Sequence, residues 1–414
     1  MPDPGSRFRG LPESKPSACT DSCRNAAKIF GFSRFTRPHE NVYVELKHAA
    51  VGRVCKRGGV VASRTVTIKD VAREAKLSVA SVSRALNGNG GVTPETVKIV
   101  REVATRLRYV PDNAARSMIT RRTNTIGVLL PDLYGEFFTE LIRGIDLAAR
   151  ARGLNILVSS SHDDADEAAI ALRSMHGRVD GLLVMSPHAD EEFLRRNLQV
   201  TLPSVLMNTL ETNHDYATLS VDNRSGVRLI LEHLLECGCQ RIAFIQGPAK
   251  NQDVREREQA FHEVLAGHVV GKDAVLLPGD FSEQSGYAAG QQLLAMHPRP
   301  DAVFAANDMM AIGCMAALRE AGVRIPDDIA VAGFDDVPMA RYVTPPLTTV
   351  SVRIAELGKL ALEQLCMQIA DPGSLVPIHQ RVTATLVIRA STAVCEPASL
   401  KTSATTMDAE RHPP

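Results

Sequence analysis

Between Thr67 and Leu86 the apolar positions Ile68, Val71, Ala72 and Ala75 fall at i, i+3, i+4 and i+7. That spacing lines one face of a helix and leaves Lys69, Asp70, Arg73 and Glu74 toward water. The helix is expected to stop near Lys76. Ser78 is placed to cap a second helix from about Val79 to Leu86, which Asn87-Gly88 ends. Val82, Ala85 and Leu86 can turn inward there, so Val79, Ala80, Ser81, Ser83 and Arg84 point out. Thr93 and Pro94 open a third helix to about Arg108, striped with Val97, Val100, Val103, Ala104 and Leu107. The result is a small three-helix bundle whose first two helices form a helix-turn-helix.

From Ile126 onward the pattern changes. Short apolar runs alternate with amphipathic segments: IGVLL, a helix from about Glu136 to Arg152, LNILVSS, GLLVM, PSVLMN, RIAFIQG, AVFAAND and IAVAGFDD. Apolar strands alternating with helices predict parallel sheets covered on both faces. The stretch is too long for one compact unit of this kind, which divides it into two similar lobes. The second lobe is expected after Gln246-Gly247, with a return of the chain for the last strands, about Arg381 to Ile388. The fold class is therefore α/β, an all-α helix-turn-helix head joined to a two-lobed body of parallel sheets. The expected boundaries are 61–110 for the head, 111–124 for a hinge helix and linker, and 125–391 for the body. Residues 1–60 lack periodicity and are read as a disordered extension. Val60 or Val61 would suit a valine-type start of translation. Residues 392–414, rich in Ser, Thr and Pro without a heptad, are read as a loose tail.

Charge sharpens this division. The chain of 414 residues is formally neutral, yet residues 61–124 carry 12 Lys and Arg against 5 Asp and Glu, and residues 1–60 carry 11 against 5. The remainder holds 24 against 37, so the basic charge gathers where a polyanion would bind. On a helix-turn-helix pattern, that charge points to nucleic acid. No run has the length of a membrane span, and the first residues lack the apolar core of a secretory signal, which places the protein in the cytoplasm. The close pairs Cys19/Cys23 and Cys237/Cys239 have no second pair to complete a zinc site. Neither a G-x-S-x-G elbow, nor a phosphate-binding G-x-x-x-x-G-K-[ST], nor H-E-x-x-H occurs, which argues against an enzyme. His162-Asp163-Asp164 is read as a polar loop. No metal or cofactor is expected.

The segments TIKDVAREAKLSVASVSRALNG, VTPETVKIVREVATRLRYVPDNAARSM, IGVLLPDL, RVDGLLVM, GDFSEQSGYAA, AANDMMAIG and IPDDIAVAGFDDVPMARYVTPPLTTV identify a resemblance to the lactose-repressor/galactose-repressor family. It covers residues 66 to about 391. The resemblance implies a homodimer reading a near-palindromic operator in double-stranded DNA, with a body similar to periplasmic sugar-binding proteins that senses a small molecule. A transport-type solute-binding protein is the alternative for the body alone, and the DNA head argues against it.

Carried over residue by residue, the base readers would be Val79, Ala80 and Arg84. A guanidinium can bind O6 and N7 of guanine together, whereas Val79 and Ala80 offer apolar contact. Thr67, Ser78, Ser81, Ser83 and Asn87 suit phosphate contacts. Met118 stands where the family usually has a minor-groove leucine wedge, Ala115 would let two linker helices approach, and Arg116 could follow the backbone or the groove. Ligands should sit beyond the carboxyl ends of the strands. The resemblance points there to Phe137, Asn208, Arg257, Phe281, Asp308 and Asp335. Helix capping competes for Asp308, and core packing for Phe137, Phe138 and Phe281. Asn251 and Asp253 stand where some purine-sensing members carry Arg and Thr, which leaves sugars or sugar acids as the expected class.

Overall fold

The computed structural model describes residues 66–87, 91–110, 122–186, 191–198, 201–208, 216–268, 274–371 and 377–392. The expected extension at 1–60, the tail beyond residue 392, and Ala115, Arg116 and Met118 of the expected hinge helix lie outside these residues. The chain divides into two compact units, residues 1–108 and 109–414.

The first unit contains α1 (Ile68–Ala75), α2 (Val79–Asn87) and α3 (Pro94–Arg106). Val71 and Ala72 of α1, Val82 and Ala85 of α2, and Val100, Val103 and Ala104 of α3 are buried and make the core. Local chemistry sets the ends. The backbone N–H and hydroxyl of Thr67 both donate to the Asp70 carboxylate, at 3.0 and 2.7 Å. Lys76 stops α1 in the left-handed conformation. Ser78 Oγ accepts the Ser81 N–H at 3.1 Å, and Thr93 Oγ1 accepts that of Thr96 at 3.3 Å just ahead of Pro94. Arg106 and Glu74 pair at 2.7 Å, tying α3 to α1.

The second unit runs through β1 (Thr125–Leu130), α4 (Glu136–Ala151), β2 (Asn155–Ser160), α5 (Ala165–Met175), β3 (Gly181–Met185), α6 (Glu191–Asn197), β4 (Ser204–Met207) and β5 (Ala217–Val221). It continues with α7 (Asn223–Glu236), β6 (Ile242–Ile245), α8 (Gln252–Ala266), β7 (Val275–Leu277), α9 (Glu283–Leu294), β8 (Ala302–Ala305), α10 (Asp308–Glu320) and β9 (Ala330–Ala332). Then follow β10 (Thr349–Ser351), α11 (Ile354–Ala370), β11 (His379–Val382) and β12 (Thr385–Val387).

Six parallel strands in the order β11-β5-β4-β3-β1-β2 make one sheet, four in the order β7-β6-β8-β9 the other, and β10 and β12 form an antiparallel ribbon. Val128 of β1 lies level with Val158 of β2 and Leu183 of β3. Both faces of the first sheet are covered. Leu172, Met175 and Leu194 of α5 and α6 bury against Leu129, Leu182, Val184 and Leu206, while α4 and α11 pack together on a separate cluster. In the second sheet Phe244 stacks between Phe261 and Phe304, with ring centroids 5.0 Å apart in each pair. Helices α9 and α10 cross so closely that a Cβ on Gly313 would overlap the Glu283 carbonyl oxygen.

Three expectations need correction. β6 already belongs to the second sheet, so the lobe boundary falls at α7 and not after Gly247. The stretch expected as final strands is cut in two: β11 returns to the first sheet and β12 leaves it for the ribbon. β5 and β7 were absent from the series of apolar runs, because Thr218 and Ser220 interrupt one and the other is only three residues long.

Candidate functional site

In the first unit, α2 presents its amino-terminal residues outward. Val79 is 41% exposed despite being apolar, and Ala80 and Arg84 are exposed beside it. The Arg84 Nε donates to the Ala80 carbonyl at 3.3 Å, which lays the guanidinium along the helix surface. Ser78 and Ser81 hydroxyls are 2.9 Å apart, and Asn87 donates to Ser83 Oγ at 3.3 Å. Of the five residues expected at phosphates, Thr67 already directs its hydroxyl into Asp70, and Ser78 serves as the α2 cap. A helix end that projects apolar, hydroxyl and guanidinium groups together is chemically equipped to meet base edges and phosphates.

In the second unit a cavity enclosing about 750 Å³ of space, its open mouth included, lies where the two sheets face each other. Five of the six ligand positions expected from sequence line it: Phe137, Asn208, Arg257, Phe281 and Asp335. They come from different elements. Phe137 is the second residue of α4, Asn208 follows β4, Arg257 sits in α8, Phe281 precedes α9, and Asp335 follows β9. Asn208, Phe281 and Asp335 have φ of 50°, 73° and 111°, a region that side-chain-bearing residues seldom occupy. Such strain gathers where surrounding structure holds a residue in place for a task.

Arg257 organises the floor and is only 4% exposed. Its Nε donates to Asn223 Oδ1 at 2.9 Å, Nη1 donates to the Ala306 carbonyl, and Nη2 reaches Asp335 Oδ1 at 3.5 Å. The guanidinium carbon lies 3.7 Å from the Phe334 ring centroid. Burial pushes the Asp335 carboxyl up to about 7, with Arg257 pulling it down and Asp253 raising it. Burial also raises Asp253, against the pull of Arg257 and a hydrogen bond from Asn223 at 2.8 Å.

Asp308 does not line this cavity. It is fully buried, its Oδ2 accepting the Val337 N–H at 2.8 Å and its Oδ1 the Thr349 hydroxyl. Burial and Asp335 hold its carboxyl well above the ordinary range. Its role is to bind the turn after β9 to β10, and Asn307 caps α10 by accepting the Met310 N–H at 2.9 Å. The cavity is met instead by Asn307 and Met309 on either side of Asp308. Asn223, 1% exposed and bonded to Asp253, Glu256 and Arg257, was missed altogether. Recognising ATLSV as a strand would have drawn attention to the polar residues just beyond its carboxyl end. Glu136, whose Oε2 accepts the Met339 N–H at 2.8 Å, and Asp253 also line the cavity. Asp164 of the His162-Asp163-Asp164 loop caps α5. Among the described residues no group of His, Cys, Asp and Glu is arranged to hold a metal ion, and no helix is long and apolar enough to cross a membrane.

Comparison with known proteins agrees with both units. Residues 67–112 match the domain described as bacterial regulatory proteins, lacI family, and residues 231–392 match a periplasmic binding protein-like domain. The chain is 33% identical to the ribose operon repressor of Halalkalibacterium halodurans over 330 residues, covering 79% of this chain and 97% of that one. The lac repressor dimer bound to operator and the anti-inducer ONPF superposes with a TM-score of 0.72 at 27% identity, covering 80% of this chain and all of that one. A LacI family regulator from Enterococcus faecium with bound ribose gives 0.59 at 29% identity, over 65% of this chain and 98% of that one. The head, the two-lobed body and this identity over nearly the full length of a curated repressor together establish that the chain belongs to the LacI family of bacterial transcriptional regulators.

Proposed function

We propose that the protein is an operator-binding repressor, acting as a homodimer, whose affinity for DNA is set by a sugar-sized effector in the cavity of the second unit. The carrying observation is the combination, in one chain, of an outward-facing α2 amino terminus and a cavity built from residues of both lobes of the second unit. Val79, Ala80 and Arg84 read bases, Arg84 by pairing with guanine in the major groove, and Ser78, Ser81, Ser83 and Asn87 approach phosphates. Met118 is assigned the minor-groove wedge, Ala115 the close approach of the two linker segments, and Arg116 a contact along the backbone or the groove; all three lie outside the described residues. The sugar class is supported by the ribose bound to the Enterococcus faecium relative and by the ribose operon repressor, and by flat apolar rings of Phe137 and Phe281 beside hydrogen-bonding groups. Effector binding shifts the population between two lobe arrangements with different operator affinity.

Selection of DNA from a random pool, with and without candidate sugars, tests the proposal. A recurring near-palindromic motif whose recovery changes with one sugar supports it. Failure to select any motif overturns it.

A further inference from the structure

The cavity wall is unbalanced in charge. Glu136, Asp253 and Asp335 line it against Arg257, which is itself paired with Asp335 and committed to Asn223 and the Ala306 carbonyl. The acceptors are also in excess. Asn208 is 6% exposed and its Oδ1 is buried with no hydrogen-bond partner, a condition that buried polar atoms seldom tolerate unless a ligand or water completes them. Asp335 is engaged by Arg257 through one oxygen, and Asp253 accepts from the Asn223 and Asn208 amides; a carboxylate has about four lone-pair sites, so each keeps acceptor capacity for a visitor. Phe137, Phe138 and Phe281 add ring surface that attracts cations.

We propose that the effector carries a protonated amine on its sugar-sized body and that Asp253 is the residue that selects it. This deepens the reading above and rests on its placement of the effector in this cavity. Three convergent acceptors, with the arginine of the lining already paired, favour a ligand that donates. A charged donor makes hydrogen bonds to carboxylates roughly twice as strong as a neutral one. An anionic ligand meets three carboxylates and a guanidinium already paired, which sets sugar acids last in the order. Asp253 is the discriminating group because it is part-exposed to the cavity and the second residue of α8, whereas Asp335 is tied to Arg257. The raised carboxyls of Asp253 and Asp335 agree with this, since a bound cation would relieve the repulsion between them.

The test uses purified full-length protein and three sugar frames, glucose, galactose and ribose. Each is supplied as the parent, as the derivative with its terminal hydroxyl replaced by an amine, and as the derivative with that carbon oxidised to a carboxylate. Calorimetry at pH 8, where Asp335 is largely ionised, gives the dissociation constants for the natural chain and for Asp253→Asn. The expected result is an amine at least about tenfold tighter than its parent in the frame that fits best, with the acid weakest. In Asp253→Asn the amine advantage should fall to within about threefold while the parent still binds, a change in ranking that a structural role at the start of α8 would not produce. A parent or acid binding as tightly as the amine, an amine advantage that survives Asp253→Asn, or no binding by any amine overturns the proposal. Operator binding by anisotropy in the same samples keeps the two readings apart. A parent sugar that shifts operator affinity without an amine advantage leaves the repressor reading standing and removes this one. Amine selectivity in a chain that binds no operator does the reverse.

Discussion

Arg257→Met tests the cavity floor most directly, because it removes the charge and keeps much of the apolar stem. Arg257 and Asp335 are 4% and 5% exposed with 3.5 Å between their charged atoms. Deleting one partner of a buried pair typically costs about 3–5 kcal/mol, since the other is stranded away from water. Asp335 can soften that loss by taking a proton. Its folded-state carboxyl is already raised to about 7, so its stabilising contribution is complete below the unfolded value near 4 and is lost as the pH rises through 7. Without Arg257, whose charge pulls this value down, the carboxyl rises further. Between pH 7 and that higher value the variant holds a proton that the natural chain has released, so its deficit grows by up to about 1.4 kcal/mol per pH unit. Asp253 also loses the pull of Arg257, so its raised carboxyl rises further and deepens the same high-pH deficit, whereas Asp308, raised by burial and Asp335, does not meet Arg257 directly. Urea denaturation of the second unit, followed by circular dichroism at pH 6 and pH 8, should show a larger loss at pH 8. The double variant Arg257→Met/Asp335→Asn should recover part of it, because no buried carboxylate is left stranded at this pair. A loss below about 1 kcal/mol at both pH values, or a double variant no more stable than the single one at pH 8, would refute this account of the cavity floor.

Arg84→Ala should weaken operator binding by about 1–3 kcal/mol per half-site, roughly 5- to 150-fold, with relaxed preference at one base pair; anisotropy on a set of single-base operator variants measures both. Equal losses across all sequences would show that Arg84 meets only phosphate. Gly313→Ala should destabilise the second unit by more than about 1 kcal/mol, since the new methyl group overlaps the Glu283 carbonyl and α9 must move off α10; unchanged thermal unfolding would contradict that packing. Thr93→Ala should cost the head about 1 kcal/mol through loss of the α3 cap, read from the unfolding of the first unit, and a value near zero would mean that Pro94 alone sets the helix start.

The head was legible because its signals are local. Helix periodicity, Ser78 and Thr93 at helix starts, and Pro94 just inside one are written within a few residues of where they act. In the body the apolar runs betrayed most strands, but β5 hid behind Thr218 and Ser220, and with it Asn223 was lost from view. Asp308 illustrates the harder limit. Its position after a strand is shared by Asp335, yet one carboxylate turns into the junction with Val337 and Thr349 and the other into the cavity. Spacing cannot separate them. The difference lies in backbone direction, with Asp335 at φ 111° and Asp308 in the first turn of a helix, and that is decided by contacts between segments far apart in the chain.

The return of β11 to the edge of the first sheet bears on how the protein is made. His379 pairs with Thr218 across 161 residues, so a ribosome that has finished β5 must synthesise the whole second sheet before the strand that covers it exists. At ordinary elongation rates that interval is on the order of ten to thirty seconds. During it β5 presents unpaired backbone groups at an open edge, the feature by which sheets recruit foreign strands. The first lobe is therefore the earlier to be synthesised and among the last to be closed. Its exposure to misassembly is set by translation speed and chaperone supply, not by the stability of the finished molecule.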